Sequence, residues 1–203
     1  MDESQHIDRR IQRTRRELRE ALFALIIERG YEAITVLDIT ERANLGRTTF
    51  YLHYHEKEEL LVDSVKELLN ELRQGVEPEQ AETCSYYIRS IRIFEHMARH
   101  HRLYQALLGD AGPPGIAPLW KTYFTELYKR RVLSQFRAGE SASVKYDLLA
   151  AHAAGSLMGL IDYWLKEDLS PPAQEMGDLY WRLMSASIND VLGRGLDHIE
   201  RDL

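Results

Sequence analysis

The sequence predicts an all-α fold of about nine helices, with an N-terminal three-helix unit containing a helix-turn-helix and a C-terminal helical body. Three observations predict it. Apolar residues recur at helical spacing through most of the chain. Between Ile34 and Lys57 two short helical patterns flank Asn44-Leu45-Gly46, where Asn or Gly can take the left-handed conformation that ends a helix. Farther on, Gly109-Asp110-Ala111-Gly112-Pro113-Pro114-Gly115 and Ser170-Pro171-Pro172 interrupt the pattern.

The first helix is predicted from about Asp8 to Arg29, with Ile11, Leu18, Leu22, Leu25 and Ile26 as its stripe and Gly30 as its end. Thr35 can cap the second helix, with Asp38 bonding back to the Thr35 amide, a capping box with Asp in place of the usual Glu. Ile39 and Ala43 share one face of that helix, and a new helix starts near Arg47. There Phe50 and Tyr54, four apart, suit packing against the second helix, while Arg47, Thr48, Thr49, Tyr51 and His53 are mostly directed elsewhere. Arg can grip guanine O6 and N7, Thr offers a hydroxyl or a methyl to thymine, and Tyr or His reaches phosphate oxygens. Arg47, Thr48, Thr49 and Tyr51 are therefore the candidate groove-facing residues, with Thr35, His53 and Lys57 for phosphate, Lys57 beside the N-terminal amides of the next helix. The plainer alternative is a three-helix packing unit with a polar outer face.

The segment Thr48-Thr49-Phe50-Tyr51-Leu52-His53-Tyr54-His55-Glu56-Lys57-Glu58-Glu59-Leu60 resembles the recognition helix and following helix start of the TetR family of transcriptional regulators. The family's recurring Tyr, the aromatic or His two residues on and the Lys six residues on fall at Tyr51, His53 and Lys57, and Thr35-Val36-Leu37-Asp38-Ile39 looks like the opening of its second helix. His55 departs from the pattern, standing where members often carry Pro or another turn residue. The resemblance implies a dimer formed through the last two helices, a body that encloses a ligand pocket, and a long linking helix between head and body.

The chain has 203 residues, 44% hydrophobic and 29% charged, enough for one compact body and a small appended domain. No stretch is expected to reach the apolar length of a membrane span, and MDESQHIDRR is polar rather than a secretion signal, so a cytoplasmic protein with no membrane partner is expected. Cys84 has no second cysteine for a disulfide or a metal knuckle. The formal net charge of −6 argues against nonspecific coating of nucleic acid, but residues 1–57 hold ten basic and ten acidic residues while the remainder holds 16 and 22. Among Arg9, Arg10, Arg13, Arg15, Arg16 and Arg19 the only acid interspersed is Glu17. Such a cluster either strengthens phosphate binding or is a solvated helix face with pairs such as Arg13 and Glu17.

The helix opening near Lys57 continues through Leu61, Val65, Leu68 and Leu72 to Gly75, longer than a reading head needs. The head is taken as residues 1–57 and the body as 58–203, linked by the helix from Lys57, whose end is expected to meet the rest of the body at a junction in GVEPEQAE, from Gly75 to Glu82. A helix from about Ser85 carries Tyr87, Ile91, Phe94 and Ala98 and leads through Arg99-His100-His101-Arg102 toward Leu107; another runs from about Pro118 to Phe136. From Ser143 to Asp168 the chain is apolar on several faces, and Ala150, Ala151, Ala154, Gly155 and Gly159 would permit close helix approach. The last helix presents Tyr180, Leu183, Met184, Ser187, Ile188, Val191 and Leu192 as a broad apolar face, and two such adjacent helices suggest a homodimer. Gly159-Leu160-Ile161-Asp162-Tyr163-Trp164-Leu165 and Ser170-Pro171 are similar to a subgroup of the family that includes dihydroxyacetone-kinase regulators.

Polar groups able to line a pocket in the body are His96, His100, Tyr104, Tyr123, His152, Tyr163 and Trp164, with His152 foremost because it interrupts an apolar helix. Each on its own also reads as an ordinary core or surface residue. His96 and His100 have helical metal-ligand spacing, with His101 beside them but no third ligand in sight, so no metal and no cofactor is expected. No glycine-rich phosphate loop, nucleophile elbow or acid pair points to catalysis. The sequence therefore reads as a DNA-binding regulator, expected to repress from a palindromic double-stranded operator as a homodimer and to be released by a small-molecule effector. A co-activator working through a protein partner is the alternative, and an enzyme or small-molecule carrier the third reading.

Overall fold

The structure is a computed structural model that describes residues 3–76, 86–132 and 143–192 of the chain. The described residues form nine α-helices and no strand: α1 (Glu3–Arg29), α2 (Val36–Arg42), α3 (Arg47–Tyr51), α4 (Lys57–Val76), α5 (Tyr86–Arg99), α6 (His101–Leu108), α7 (Ile116–Leu127), α8 (Ser143–Lys166) and α9 (Ala173–Leu192). One π-helical turn, Tyr128–Val132, follows α7.

Local chemistry sets the boundaries at the head. Gly30 closes α1 with φ 77° and an amide bond to the Ile26 carbonyl, a conformation that needs no Cβ. Asn44 takes φ 53° between α2 and α3, while Gly46 is extended and caps α3. α1 starts at Glu3, earlier than its apolar stripe implies: Arg9 to Arg13 are exposed, Ile11 among them, and burial begins with Thr14 and Leu18.

α4 serves both parts of the molecule. Its buried face runs from Leu60 to Val76 without a break and belongs to one continuous core. That core joins Leu18, Leu22 and Phe50 of the head to Phe94, Trp120 and Trp164 of the body. The expected junction from Gly75 to Glu82 begins inside α4, and its residues 77–82 lie outside the described residues.

Three expectations for the body change. The stretch from Ser85 to Leu107 is two helices, because His100 leaves helical geometry at φ −118°, ψ 26°. The helix expected to reach Phe136 ends at Leu127 and opens into the π-helical turn, and residues 133–136 lie outside the described residues. Within the chain the tight glycine is on α9: a Cβ on Gly177 would lie 2.5 Å from Ile91 Cα, whereas a Cβ on Gly155 or Gly159 of α8 would meet nothing within 4 Å. Ala150 and Ala154 are buried, but Ala151 is exposed.

The apolar-length expectation is also corrected. Tyr146–Lys166 is long and apolar enough to cross a membrane by length and composition, because Asp147, Asp162 and Lys166 lie toward its ends and leave an apolar run between them. Here Leu149, Ala153, Leu157, Ile161 and Trp164 of this helix are buried in the protein core.

Candidate nucleic-acid interface

Thr35 caps α2 in extended conformation, and both halves of the capping box form: the Asp38 amide donates to Thr35 Oγ1 at 3.3 Å and the Thr35 amide donates to Asp38 Oδ2 at 2.8 Å. Arg29, at the end of α1, lies 2.7 Å from the other Asp38 oxygen. The Thr35 hydroxyl first, and then Arg29, hold the Asp38 carboxyl down at about 2. A second link between α1 and α2 joins Glu28 to Arg42. The two-helix turn is thus tied to α1 at both ends of α2.

α3 is anchored by Phe50, fully buried, and by Tyr54 just beyond it, with ring centroids 5.9 Å apart. The Tyr54 hydroxyl donates to Asp63 Oδ2 at 2.6 Å, and Arg15 of α1 lies over the same ring. With that face committed, Arg47, Thr48 and Tyr51 are exposed and Thr49 half-buried on the other side, Tyr51 at 57%. His53 is half-buried, and burial together with Arg15 pushes its imidazole pKa down, so the ring is neutral near pH 7 and its N–H is an uncharged donor. These five side chains share one end of the head.

Lys57 behaves differently from a free cation. Its Nζ donates to the Tyr31 and Ile34 carbonyls at 3.3 and 3.0 Å and sits 4.3 Å from the centre of the Tyr31 ring. Two of the three ammonium protons hold the α1–α2 loop, leaving one for any external oxygen. Thr35 is similar, its side chain already engaged by Asp38. Sequence reasoning passes over Leu52, which is 77% exposed next to Tyr51 and has the apolar surface to meet a thymine methyl. Its signal is a leucine off the Phe50–Tyr54 face, in the stretch that resembles the recognition helix.

The seven polar residues considered for a body pocket do not gather in one place. His96 and Tyr104 do meet: their rings are 6.0 Å apart, both are buried, and neither His96 Nε2 nor the Tyr104 hydroxyl has a partner among the described residues. His100 is exposed beside His96. Tyr123 donates to the Leu69 carbonyl at 3.4 Å, and the buried Trp164 indole donates to the Pro171 carbonyl at 2.6 Å. His152 and Tyr163 are exposed on the outer face of α8. Trp120, not singled out from sequence, completes the buried pair: its ring lies 5.3 Å from Tyr104, and its indole nitrogen is fully buried and unpartnered among the described residues. Burial, then His100 and Arg99, pushes the His96 pKa down to about 4. Burial and Glu71 push Tyr104 up, so the cluster is uncharged. Among the described residues no group of three or more His, Cys, Asp or Glu is placed to hold a metal ion.

Comparison with known proteins gives consistent matches for both parts. Residues 18–63 match the family described as bacterial regulatory proteins, tetR family, and residues 89–186 match a transcriptional regulator C-terminal region. The uncharacterized HTH-type transcriptional regulator YxbF of Bacillus subtilis (strain 168) is 26% identical over 180 residues, 85% of this chain. The chain spans 45% of that relative's length. A TetR transcriptional regulator from Streptococcus agalactiae 2603V superposes with a TM-score of 0.66 at 23% identity, over 89% of this chain and 98% of the other. The dihydroxyacetone kinase operon activator DhaS superposes with a TM-score of 0.65 at 15% identity, over 87% of this chain and 97% of the other. At these identities the two structures share the fold. All three are described as regulators of transcription.

Proposed function

Because the chain belongs to the TetR family of transcriptional regulators, we propose that it acts in the cytoplasm as a homodimeric repressor that binds a palindromic operator and leaves it when a small-molecule effector enters the body. The observation that carries the reading is the outward set on α3. Phe50 and Tyr54 fix the helix from behind, so Arg47, Thr48, Thr49 and Tyr51 face a groove and His53 a phosphate. Residues 1–57 serve as the reading head and 58–203 as the effector and dimer body, with Lys57 and Thr35 lending their remaining capacity to the backbone.

A dimer is supported by the outer faces of α8 and α9. Leu148, His152, Gly155, Gly159 and Tyr163 fall on one helical face, Leu148 at 66% and Tyr163 at 55% exposure, beside the exposed Leu179, Leu183 and Val191 of α9. An effector is supported by His96, Tyr104 and Trp120, whose buried, unpaired and uncharged polar atoms suit a neutral ligand with both donor and acceptor groups. The effector acts only if it binds the two head spacings with different affinity.

Selection from a random DNA pool, followed by titration at two salt concentrations, tests the reading. Enrichment of one palindrome with half-sites about 34–36 Å apart supports it. Arg47→Ala should then relax sequence preference, and Lys57→Ala should weaken binding evenly. A second reading is favoured by the similarity to a protein described as an operon activator. In that reading the DNA-bound head works through a protein partner, and weak, salt-sensitive binding with no enriched sequence would bring it forward.

A further inference from the structure

α1 and α4 pack against each other in the head. Arg15 of α1 lies over Tyr54, which is bonded to Asp63, and Arg19 reaches Glu67 and Glu71 a turn or more farther along α4. Arg15 therefore stands beside Tyr54 and His53, the residues that follow α3. Between the two helices lies a cleft of about 670 Å³ lined by Arg9, Gln12, Arg13, Arg15, Arg16, Arg19, Asp63, Ser64 and Glu67. A second cleft shares Arg15 and Asp63 with it and contains His53, so the arginine-lined space continues the surface on which α3 stands.

Five guanidiniums and two carboxylates form the walls. Glu67 lies 3.9 Å from Arg19, and Asp63 accepts the Tyr54 hydroxyl. Arg13 and Arg16 pair along the helix with Glu17 and Glu20 at 2.8 and 3.7 Å. Exposed pairs of this kind contribute little in water, so either arginine can leave its glutamate for a phosphate that accepts a bidentate fork. Arg9 and Arg15 have no carboxylate to leave: neither forms an ion pair among the described residues. The floor carries a further sign of an outside partner, since Ser64 is 1% exposed and its hydroxyl has no hydrogen-bond partner among the described residues.

We propose that the α1–α4 cleft is a second nucleic-acid contact, in which Arg9, Arg13 and Arg16 grip backbone phosphates outside the stretch read by α3. The proposal rests on the head binding DNA. Its consequence is a division of labour: α3 carries sequence preference, and the cleft carries sequence-independent affinity that salt removes.

The experiment compares the full chain with its Arg9→Gln/Arg13→Gln/Arg16→Gln variant on one duplex of about 40 base pairs, between 50 and 200 mM salt. Each phosphate that the variant no longer neutralises should make the log–log salt slope shallower by about 0.9. The deficit of the variant at 50 mM should then shrink by about tenfold to fortyfold at 200 mM, as expected when two or three phosphates are released. Neutral methylphosphonates placed singly along the duplex should include positions that weaken the unaltered protein and leave the variant unaffected. The three arginines are exposed, so the variant should keep its unfolding midpoint. Equal slopes, or methylphosphonate effects equal in the two proteins, overturn the proposal. If inorganic pyrophosphate raises the melting temperature of the unaltered protein alone while the slopes agree, the cleft takes a free phosphate and not a DNA backbone. If neither protein binds the duplex at any salt, the DNA reading itself fails, and the proposal with it.

Discussion

Around α2 and α3, polar side chains close on one another: Thr35 on Asp38, Asp38 on Arg29, Arg42 on Glu28, Lys57 on two carbonyls. Between α5, α6 and α7, three touching aromatic residues hold buried polar atoms with no partner among the described residues. Each such atom costs about 1–3 kcal/mol relative to a satisfied one. A reading surface needs one fixed geometry, and paired polar groups supply it. In the proposed reading, the effector region gains from groups that are satisfied only when a ligand arrives. The difference teaches where to look for rigidity and where for response.

The contrast can be broken most forcefully from the head's own core. Phe50 is fully buried behind α3, so Phe50→Ala should cost about 3–5 kcal/mol and abolish DNA binding, measured by urea unfolding and titration. If stability fell and DNA binding held, α3 would not depend on its anchor. In the body, Gly177→Ala places a methyl 2.5 Å from Ile91 Cα and should cost about 1–3 kcal/mol by forcing α5 from α9. A wild-type melting temperature would show that the two helices yield freely.

The unpaired cluster makes a pH prediction with a definite sign. Folding lowers the His96 pKa to about 4, below that of the unfolded chain, so the unfolded state takes up the proton first. Stability should be fully present above about pH 6.5 and fall by about 1–2 kcal/mol toward pH 4, allowing for partial solvent access to the ring. Urea midpoints across this range should show the loss in the wild type and a smaller one in His96→Phe. The smallest effects carry the sharpest contrast. Thr35→Ala should destabilise by about 1 kcal/mol because a used cap is lost. Tyr104→Phe should instead stabilise by about 1 kcal/mol, because it removes a hydroxyl that nothing among the described residues satisfies, while blunting any effector response. Chemical denaturation of both variants would decide, and two losses of equal size would erase the distinction between the regions.

The head is legible in the sequence because its signals are local. Thr35 and Asp38 are three apart, Phe50 and Tyr54 four apart, and Asn44 stands where the backbone turns left-handed, so each relation is contained in a short window of sequence. The body's helices are legible from their stripes, but the way they touch is not. Gly177 meets Ile91 across 86 positions of chain, and nothing near Gly177 announces that neighbour, whereas a Cβ on the more conspicuous Gly155 or Gly159 would find open space. His152 looks like a site because it interrupts an apolar helix, yet a 3.6-residue period puts it on the outside of α8. Trp120 escapes notice because an aromatic in an apolar stripe reads as packing, and only the structure reveals its unpartnered nitrogen.

The unbroken run of α4 from Lys57 to Val76 has a geometric consequence. Twenty residues make a rod about 30 Å long, and its buried face shares one core with both ends of the molecule. A tilt of about 5° at the Val76 end moves the Lys57 end by about 2.6 Å, roughly the reach over which a hydrogen bond is made or lost. Motion at the body end too small to change the packing there is therefore magnified at the far end into a change of registry. If the head answers the body as proposed, the length of α4 sets the gain.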